Sequence, residues 1–216
     1  MLGKDLPLNE GLMKPIELRL PKGSILSPDK ELAVVGGNVT TSQRIVDVIF
    51  KAFNVAAASQ GCMNNVIIGD ETFGYYETIA GGAGATKNAP GASGVHTHMT
   101  NTKITDVEVV ERRYPFRIRR FELRHGSGGA GKHKGGDGVV REYEFLKDLE
   151  VSLLTERRSH APYGLEGGKN GAKGQNLLLR DGKTYNLTGK AQIKVKKGDR
   201  LVIKTPGGGG WGKRGN

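Results

Sequence analysis

The chain has 216 residues, enough for one sizeable domain or two small lobes around a real core. It carries 33 Lys and Arg against 22 Asp and Glu, a formal charge of +11, and 34 glycines. So much glycine argues against a helix bundle, because a glycine in a helix interior costs about 1 kcal/mol relative to alanine, and it favours short strands joined by tight turns.

In chain order, alternation in Ile16-Glu17-Leu18-Arg19-Leu20, bounded by Pro15 and Pro21, predicts a strand. One principal amphipathic helix is expected near residues 42–57, capped by Thr41 or Ser42. Its apolar residues Ile45, Val48, Ile49, Ala52, Phe53 and Ala56 recur at the spacing of one buried face. The glycine-rich stretch 81–94 follows, of a length that usually marks a functional or mobile loop. Strands are then predicted at 105–111, 116–124, 139–146, 150–155, 176–179, 192–195 and 200–204, with turn signals at Asp181-Gly182 and Lys197-Gly198-Asp199. The expectation is an α+β fold: a mixed α/β lobe over 1–104 and an antiparallel, β-rich lobe over 105–216. The last residues, TPGGGGWGKRGN, read as a mobile or docking tail anchored only by Trp211.

The single cysteine, Cys62, excludes an intrachain disulfide and fits a reducing compartment; with no neighbouring Cys or His it reads as a packing residue. No signal-peptide layout opens the sequence, and no apolar run approaches the roughly 20 residues of a membrane helix. A cytoplasmic protein without a membrane partner is expected. The basic residues are scattered, and in Arg117-Ile118-Arg119-Arg120 and Lys194-Val195-Lys196-Lys197 they flank an apolar residue, as on the solvated face of a strand. Nucleic acid is therefore not an expected partner.

Four motifs carry chemistry. Gly126–Lys132 satisfies G-x-x-x-x-G-K, but His133 stands where a phosphate loop needs Ser or Thr, and a strand pattern follows where it needs a helix. His96 and His98 would project to one face of an extended segment, as metal ligands, as substrate contacts or as a hydrogen-bonding pair in a polar loop. Asn64, Asn65, Tyr76 and Glu77 gather amides, a phenol and a carboxylate able to orient an amide substrate or move protons. Arg157 and His160 lie at a predicted strand end, where arginine suits carboxylate or phosphate recognition or a surface ion-pair cluster.

Taken together, GNVTTSQRIVDVI, GCMNNVIIG, YYETIAGGAGA, GVHTHMTNT, SLLTERRSHAPYGLEGG and TPGGGGWG resemble the C-terminal region of the hydantoinase B / 5-oxoprolinase family, in order from about Leu8 to Gly212. The resemblance implies a hydrolase of small cyclic amides that works beside an A-type subunit. That partner, not this chain, binds ATP, and phosphorylation activates the amide carbonyl. It strengthens the reading of His96 and His98 as catalytic residues; from their own chemistry, Glu77 is expected to join them as acid, base or ligand, and Asn64, Asn65, Tyr76, Arg157 and His160 to contact substrate. The family's B-type N-terminal half carries a His- and Asp-containing segment similar to the metal site of acetone and acetophenone carboxylase relatives. This chain is expected to follow that half and to take it as a partner, with a divalent metal in the complex. The alternatives are a non-catalytic assembly piece or a subunit of a related carboxylase.

Overall fold

Where apolar side chains alternate, the chain becomes sheet, and two antiparallel sheets face each other across one core. The computed structural model describes residues 9–32 and 34–214. β1 (Asn65–Gly69), β2 (Gly74–Glu77), β5 (Leu149–Leu154) and β8 (Lys190–Val195) form one sheet in the order β2-β1-β5-β8. β3 (Phe116–Arg124), β4 (Gly138–Phe145), β6 (Gln175–Arg180), β7 (Lys183–Leu187) and β9 (Arg200–Lys204) form the other, in the order β3-β4-β9-β6-β7. In β5 the period is plain: Leu149, Val151 and Leu153 point inward, where they meet Val66, Ile68, Tyr143, Phe145, Leu201 and Ile203. Hydrogen bonds between β1 and β5 join residues on either side of position 104. Asp181 and Gly182, both with positive φ, make the two-residue turn between β6 and β7.

The expected α+β architecture with an antiparallel second half is what the molecule has, with four corrections. The predicted strand at 16–20 is not formed: it has no partner strand, and Ile16, Leu18 and Leu20 are exposed. The predicted strand at 105–111 is instead a short helix, α2 (Val107–Arg113). Asp106 starts it by accepting hydrogen bonds from the backbone N–H groups of Glu108 and Val109. The principal helix, α1 (Ser42–Ala52), stops short of residue 57. There Asn54 turns left-handed, at φ 52°, and Val55 N–H closes back on Phe50 C=O at 2.8 Å. Neither Thr41 nor Ser42 caps it, because the chain enters through a π-helical turn, Gly37–Thr41.

The fourth correction concerns the last glycines. Residues 205–211 are buried and run between three other glycine-rich segments, 81–94, 126–138 and 163–174. Gly208 N–H donates to Gly136 C=O, Gly209 N–H to Ala58 C=O and Gly210 N–H to Lys169 C=O, at 2.8, 2.8 and 2.9 Å. Gly129 N–H and Ala85 N–H donate in turn to Gly208 and Gly209 C=O. Backbone meets backbone so closely that a Cβ on Gly208 would stand 1.8 Å from Ala83 O, and one on Gly209 1.9 Å from Tyr163 O. Residues 205–211 are therefore no loose tail; with the bonded parts of 81–94 they build a second, glycine-packed core.

Candidate functional site

The amphipathic helix α1 is turned opposite to the sequence expectation. Its buried residues are Gln43 and Asp47, one helical turn apart, while Val48, Ile49 and Phe53 face outward. The polar side chains are spent on holding loops. Gln43 Nε2 donates to Thr97 C=O at 3.0 Å, and Gln60 Nε2 donates to Val95 C=O at 3.3 Å, so the histidine segment is gripped from two sides.

Asp47 is the centre of the arrangement. Its Oδ2 accepts from Arg157 Nη2 at 2.7 Å, and its Oδ1 lies 3.1 Å from His98 Nε2 and accepts the Ser59 N–H at 3.1 Å. The Tyr163 hydroxyl donates to the Asp47 backbone carbonyl. Asp47 and Arg157 side chains are each 2% exposed. Burial pushes the Tyr163 phenol up to about 12, and the Asp47 charge adds to it. A buried Asp–Arg pair needs several hydrogen bonds to offset desolvation, and here the carboxylate has three.

His96 and His98 do not share a strand face. His98 sits in the left-handed region, at φ 58°, and this turn aims its ring at Asp47 and edge-on to Phe50. His96 is half-buried; its Nδ1 is buried and has no hydrogen-bond partner among the described residues. Desolvation lowers its pKa, against the raising effect of the nearby Thr102 backbone. Burial thus favours the neutral imidazole of His96, whose Nδ1 stays unpaired. Left-handed backbone recurs at Asn64 and Arg157, φ 47° and 60°, so three strained non-glycine residues belong to this one region.

Arg157 and His160 line a cleft of about 380 Å³ with Arg44, Glu156, Arg158, Thr188 and Lys190. Asn64 reaches the same cleft at one remove, its Oδ1 accepting from Arg158 Nη1 at 2.7 Å. Asn65 and Tyr76 bond to each other across β1 and β2 instead. Glu77 lies elsewhere. Both of its oxygens are taken, by Arg141 Nε and Nη2 at 3.0 Å each, by the Tyr75 hydroxyl at 2.7 Å and by the Tyr143 hydroxyl. Glu77 on β2 therefore ties one sheet to β4 of the other and meets neither histidine.

Asp47, Arg44, Gln43 and Gln60 were missed by sequence reasoning, whereas Arg158 belongs to the pair of arginines the strand end already offered. The one available signal was the polar run Ser42-Gln43-Arg44 with Asp47 one turn later, masked by the apolar stripe beside it. Cys62 is a packing residue as expected: its buried sulfur accepts the N–H groups of Asn64 and Glu156, and burial pushes its thiol pKa up. In the loop Gly126–Lys132, Gly128 N–H already donates to Asp137 Oδ1, Gly129 N–H to Gly208 C=O and Lys132 N–H to Gly212 C=O. No group of three His, Cys, Asp or Glu side chains among the described residues is placed to hold a metal ion. His96 and His98, turned apart, do not by themselves make up a metal site. No helix among the described residues is long and apolar enough to cross a membrane.

The fold is one found in ATP-dependent enzymes. Over 97% of the chain it is similar to 41% of the ATP-dependent caprolactamase of Pseudomonas jessenii, with a TM-score of 0.76 and 26% identity. Acetone carboxylase shares the fold over 95% of this chain and 34% of its own, with a TM-score of 0.73 and 19% identity. A profile of the hydantoinase B/oxoprolinase family matches residues 1–214, and the chain belongs to that family. 5-oxoprolinase 1 of Arabidopsis thaliana is 56% identical to it over 213 residues, covering 98% of this chain but 17% of the plant protein. The chain thus spans less than a fifth of that relative's length.

Proposed function

We propose that this chain is the C-terminal portion of an ATP-dependent cyclic-amide hydrolase, opening 5-oxoproline or hydantoin rings with an A-type subunit that binds the ATP. One observation supports the reading above the rest: likeness in both sequence and backbone, across 97% of the chain, to an enzyme named for ATP-dependent opening of a lactam. An unactivated ring amide resists attack; phosphorylation of its carbonyl oxygen makes the carbon electrophilic, so that water adds, the C–N bond breaks with the ring nitrogen leaving protonated, and the acyl phosphate left behind is hydrolysed to carboxylate and phosphate. In this reading the partner supplies the ATP site, and the inward-bonded N–H groups of 126–132 agree with that division.

His96 and His98 are the proposed proton-handling residues. Burial favours the neutral form of His96, and its unpaired Nδ1 suits it to accept a proton; His98 is oriented by Asp47, which Arg157 grips in turn. Arg157 and His160 are the proposed substrate contacts at the cleft. The N-terminal half of a B-type subunit is the proposed second partner. It would cover the outward apolar face of α1 and the exposed Leu18, Ile25, Val34 and Val35. That same surface favours the second reading, in which the chain is a non-catalytic assembly piece.

The test is reconstitution of the three components, following ATP-dependent ring opening by amino-acid release. His96→Ala and His98→Ala should each lower turnover by about 10²–10⁴-fold, with assembly unchanged by gel filtration. Normal turnover in both variants would remove the catalytic reading and leave the assembly one. Absence of any ring opening by the reconstituted complex would remove the hydrolase reading altogether.

A further inference from the structure

The cleft at the end of β5 holds more positive charge than the protein neutralises. Arg44, Arg157, Arg158, His160 and Lys190 line it, against one lining carboxylate, Glu156, which Lys190 approaches at 3.7 Å. Asp47 offsets Arg157 from behind. Arg158 has only neutral acceptors: Asn176 Oδ1 at 2.8 and 3.2 Å, Asn64 Oδ1 at 2.7 Å and the Glu156 carbonyl at 2.7 Å. Desolvation pulls its guanidinium down to about 10, with the Arg124 charge acting in the same direction. Arg44 pairs with no carboxylate among the described residues, and its charge lies close enough to Arg157 to disfavour that cation further. Arg157 Nε is buried without a hydrogen-bond partner.

The backbone makes room for this crowding. Gly61, at φ 77°, has no Cβ where one would stand 2.8 Å from Arg157 Nε and 3.3 Å from Arg44 Cδ. Like charges held together in a partly dry cleft repel unless an anion lies between them. Guanidinium groups are the side chains best shaped to bind planar or tetrahedral oxyanions. The Ser159 and Thr188 side chains and the Gly189 backbone add uncharged lining to the same opening.

We propose that this cleft, framed by Arg44, Arg157, Arg158, His160 and Lys190, is a binding site for the oxyanion of a small metabolite, a carboxylate or a phosphate. The volume of about 380 Å³ suits a small molecule that bears such a group rather than a bare ion alone. The proposal deepens the substrate-contact role given above to Arg157 and His160 and rests on that reading for its location. Its test reads binding and not turnover, so the two can fail separately.

Calorimetry on the full chain in 150 mM NaCl, where the Debye length of about 8 Å screens diffuse attraction, should be run with inorganic phosphate, with glutarate and with uncharged 2-pyrrolidinone. Saturable binding of phosphate alone would mark a phosphate site, and of glutarate alone a carboxylate site; the lactam without an acidic group should give no heat. Arg44→Gln should weaken the bound anion at least tenfold, and Arg44→Lys should recover part of the loss. Because Arg158→Gln removes bonds that hold Asn64 and Asn176, Lys190→Gln at the exposed rim is the second variant, with an expected loss of about threefold. No saturation by either anion below 10 mM, or equal affinity in Arg44→Gln and the parent, would overturn the proposal.

Discussion

The molecule has two cores built on opposite rules. Between the sheets, side chains such as Phe145, Val151 and Leu201 fill space, and stability comes from apolar area removed from water at roughly 25 cal/mol per Å². Along Gly207–Gly210 there is no side chain to bury, and only Thr205, Pro206 and Trp211 flank that run. Backbone amides of four separate segments bond to one another, each bond worth about 0.5–1.5 kcal/mol net. The first core tolerates exchange, since apolar residues of similar volume replace one another at small cost. The second is defined by atoms it lacks, and it admits no addition. The glycine core is also the more constrained in register, because each carbonyl that a Cβ on Gly207, Gly208, Gly209 or Gly210 would strike first belongs to a segment far away in sequence.

The sharpest way to separate the two is Gly208→Ala. One methyl group directed at Ala83 O has no flexible neighbour to displace, so the expected loss exceeds about 5 kcal/mol and leaves little folded protein. Phe145→Ala, a far larger chemical change in the sheet core, should cost about 3–5 kcal/mol. Urea titration checks both. Trp211, the sole tryptophan, is buried in the glycine core and reports on it by fluorescence, while far-ultraviolet circular dichroism follows the sheets. If Gly208→Ala melts no earlier than Phe145→Ala, the contrast between the cores is lost.

Glu77→Gln comes next and probes the joint between the sheets. It leaves Arg141, whose side chain is 0% exposed, without its counter-charge, and breaking a buried pair in this way costs about 3–5 kcal/mol. The unfolding midpoint in urea should fall at unchanged slope, with both probes moving together. A shift seen by circular dichroism alone would show that the glycine core stands independently of the sheets.

The smallest effect has the opposite sign. Gly36 has ordinary helical dihedrals, φ −65° and ψ −29°, and nothing within 4 Å of where a Cβ would stand. Gly36→Ala should therefore raise stability by about 0.4–1 kcal/mol, by restricting the unfolded chain. A destabilised Gly36→Ala would mean that even this glycine is held by its surroundings.

How much of this the residues announced depends on whether a side-chain period exists to be read. β3, β4, β5 and β9 alternate or run apolar, and their positions follow from that. Glycine has no side chain and so no period, which is why residues 205–211 look like a loose end until their hydrogen bonds are seen. For α1 the stripe of Val48, Ile49 and Phe53 shows which face is apolar, but burial depends on what lies opposite. Here that is a polar loop, 95–98, which the helix meets with Gln43 and Asp47. At 107–113, alternating Val107 and Val109 suggested a strand, and the Asp106 cap decided for helix. The histidines were visible as a pair, but the left-handed turn at His98 was not, since nothing in the spacing H-x-H distinguishes a turn from an extended run. Asp47, the hub, was hidden because a lone carboxylate on an amphipathic helix is usually a solvated one.

The position of 205–211 also orders events in time. The ribosome delivers 81–94, 126–138 and 163–174 first, and each emerges with amide and carbonyl groups whose partners have not yet been made. The strip that joins them is translated after all three, when β1 through β9 have already passed the peptidyl-transferase centre. The three segments also bond to one another, as Gly136 N–H does to Ala83 C=O, but the core cannot close behind the growing end. It waits for one late insertion of a nearly side-chain-free thread, and a nascent chain arrested at residue 200 should be as open to protease around Gly84 and Gly136 as an unfolded one.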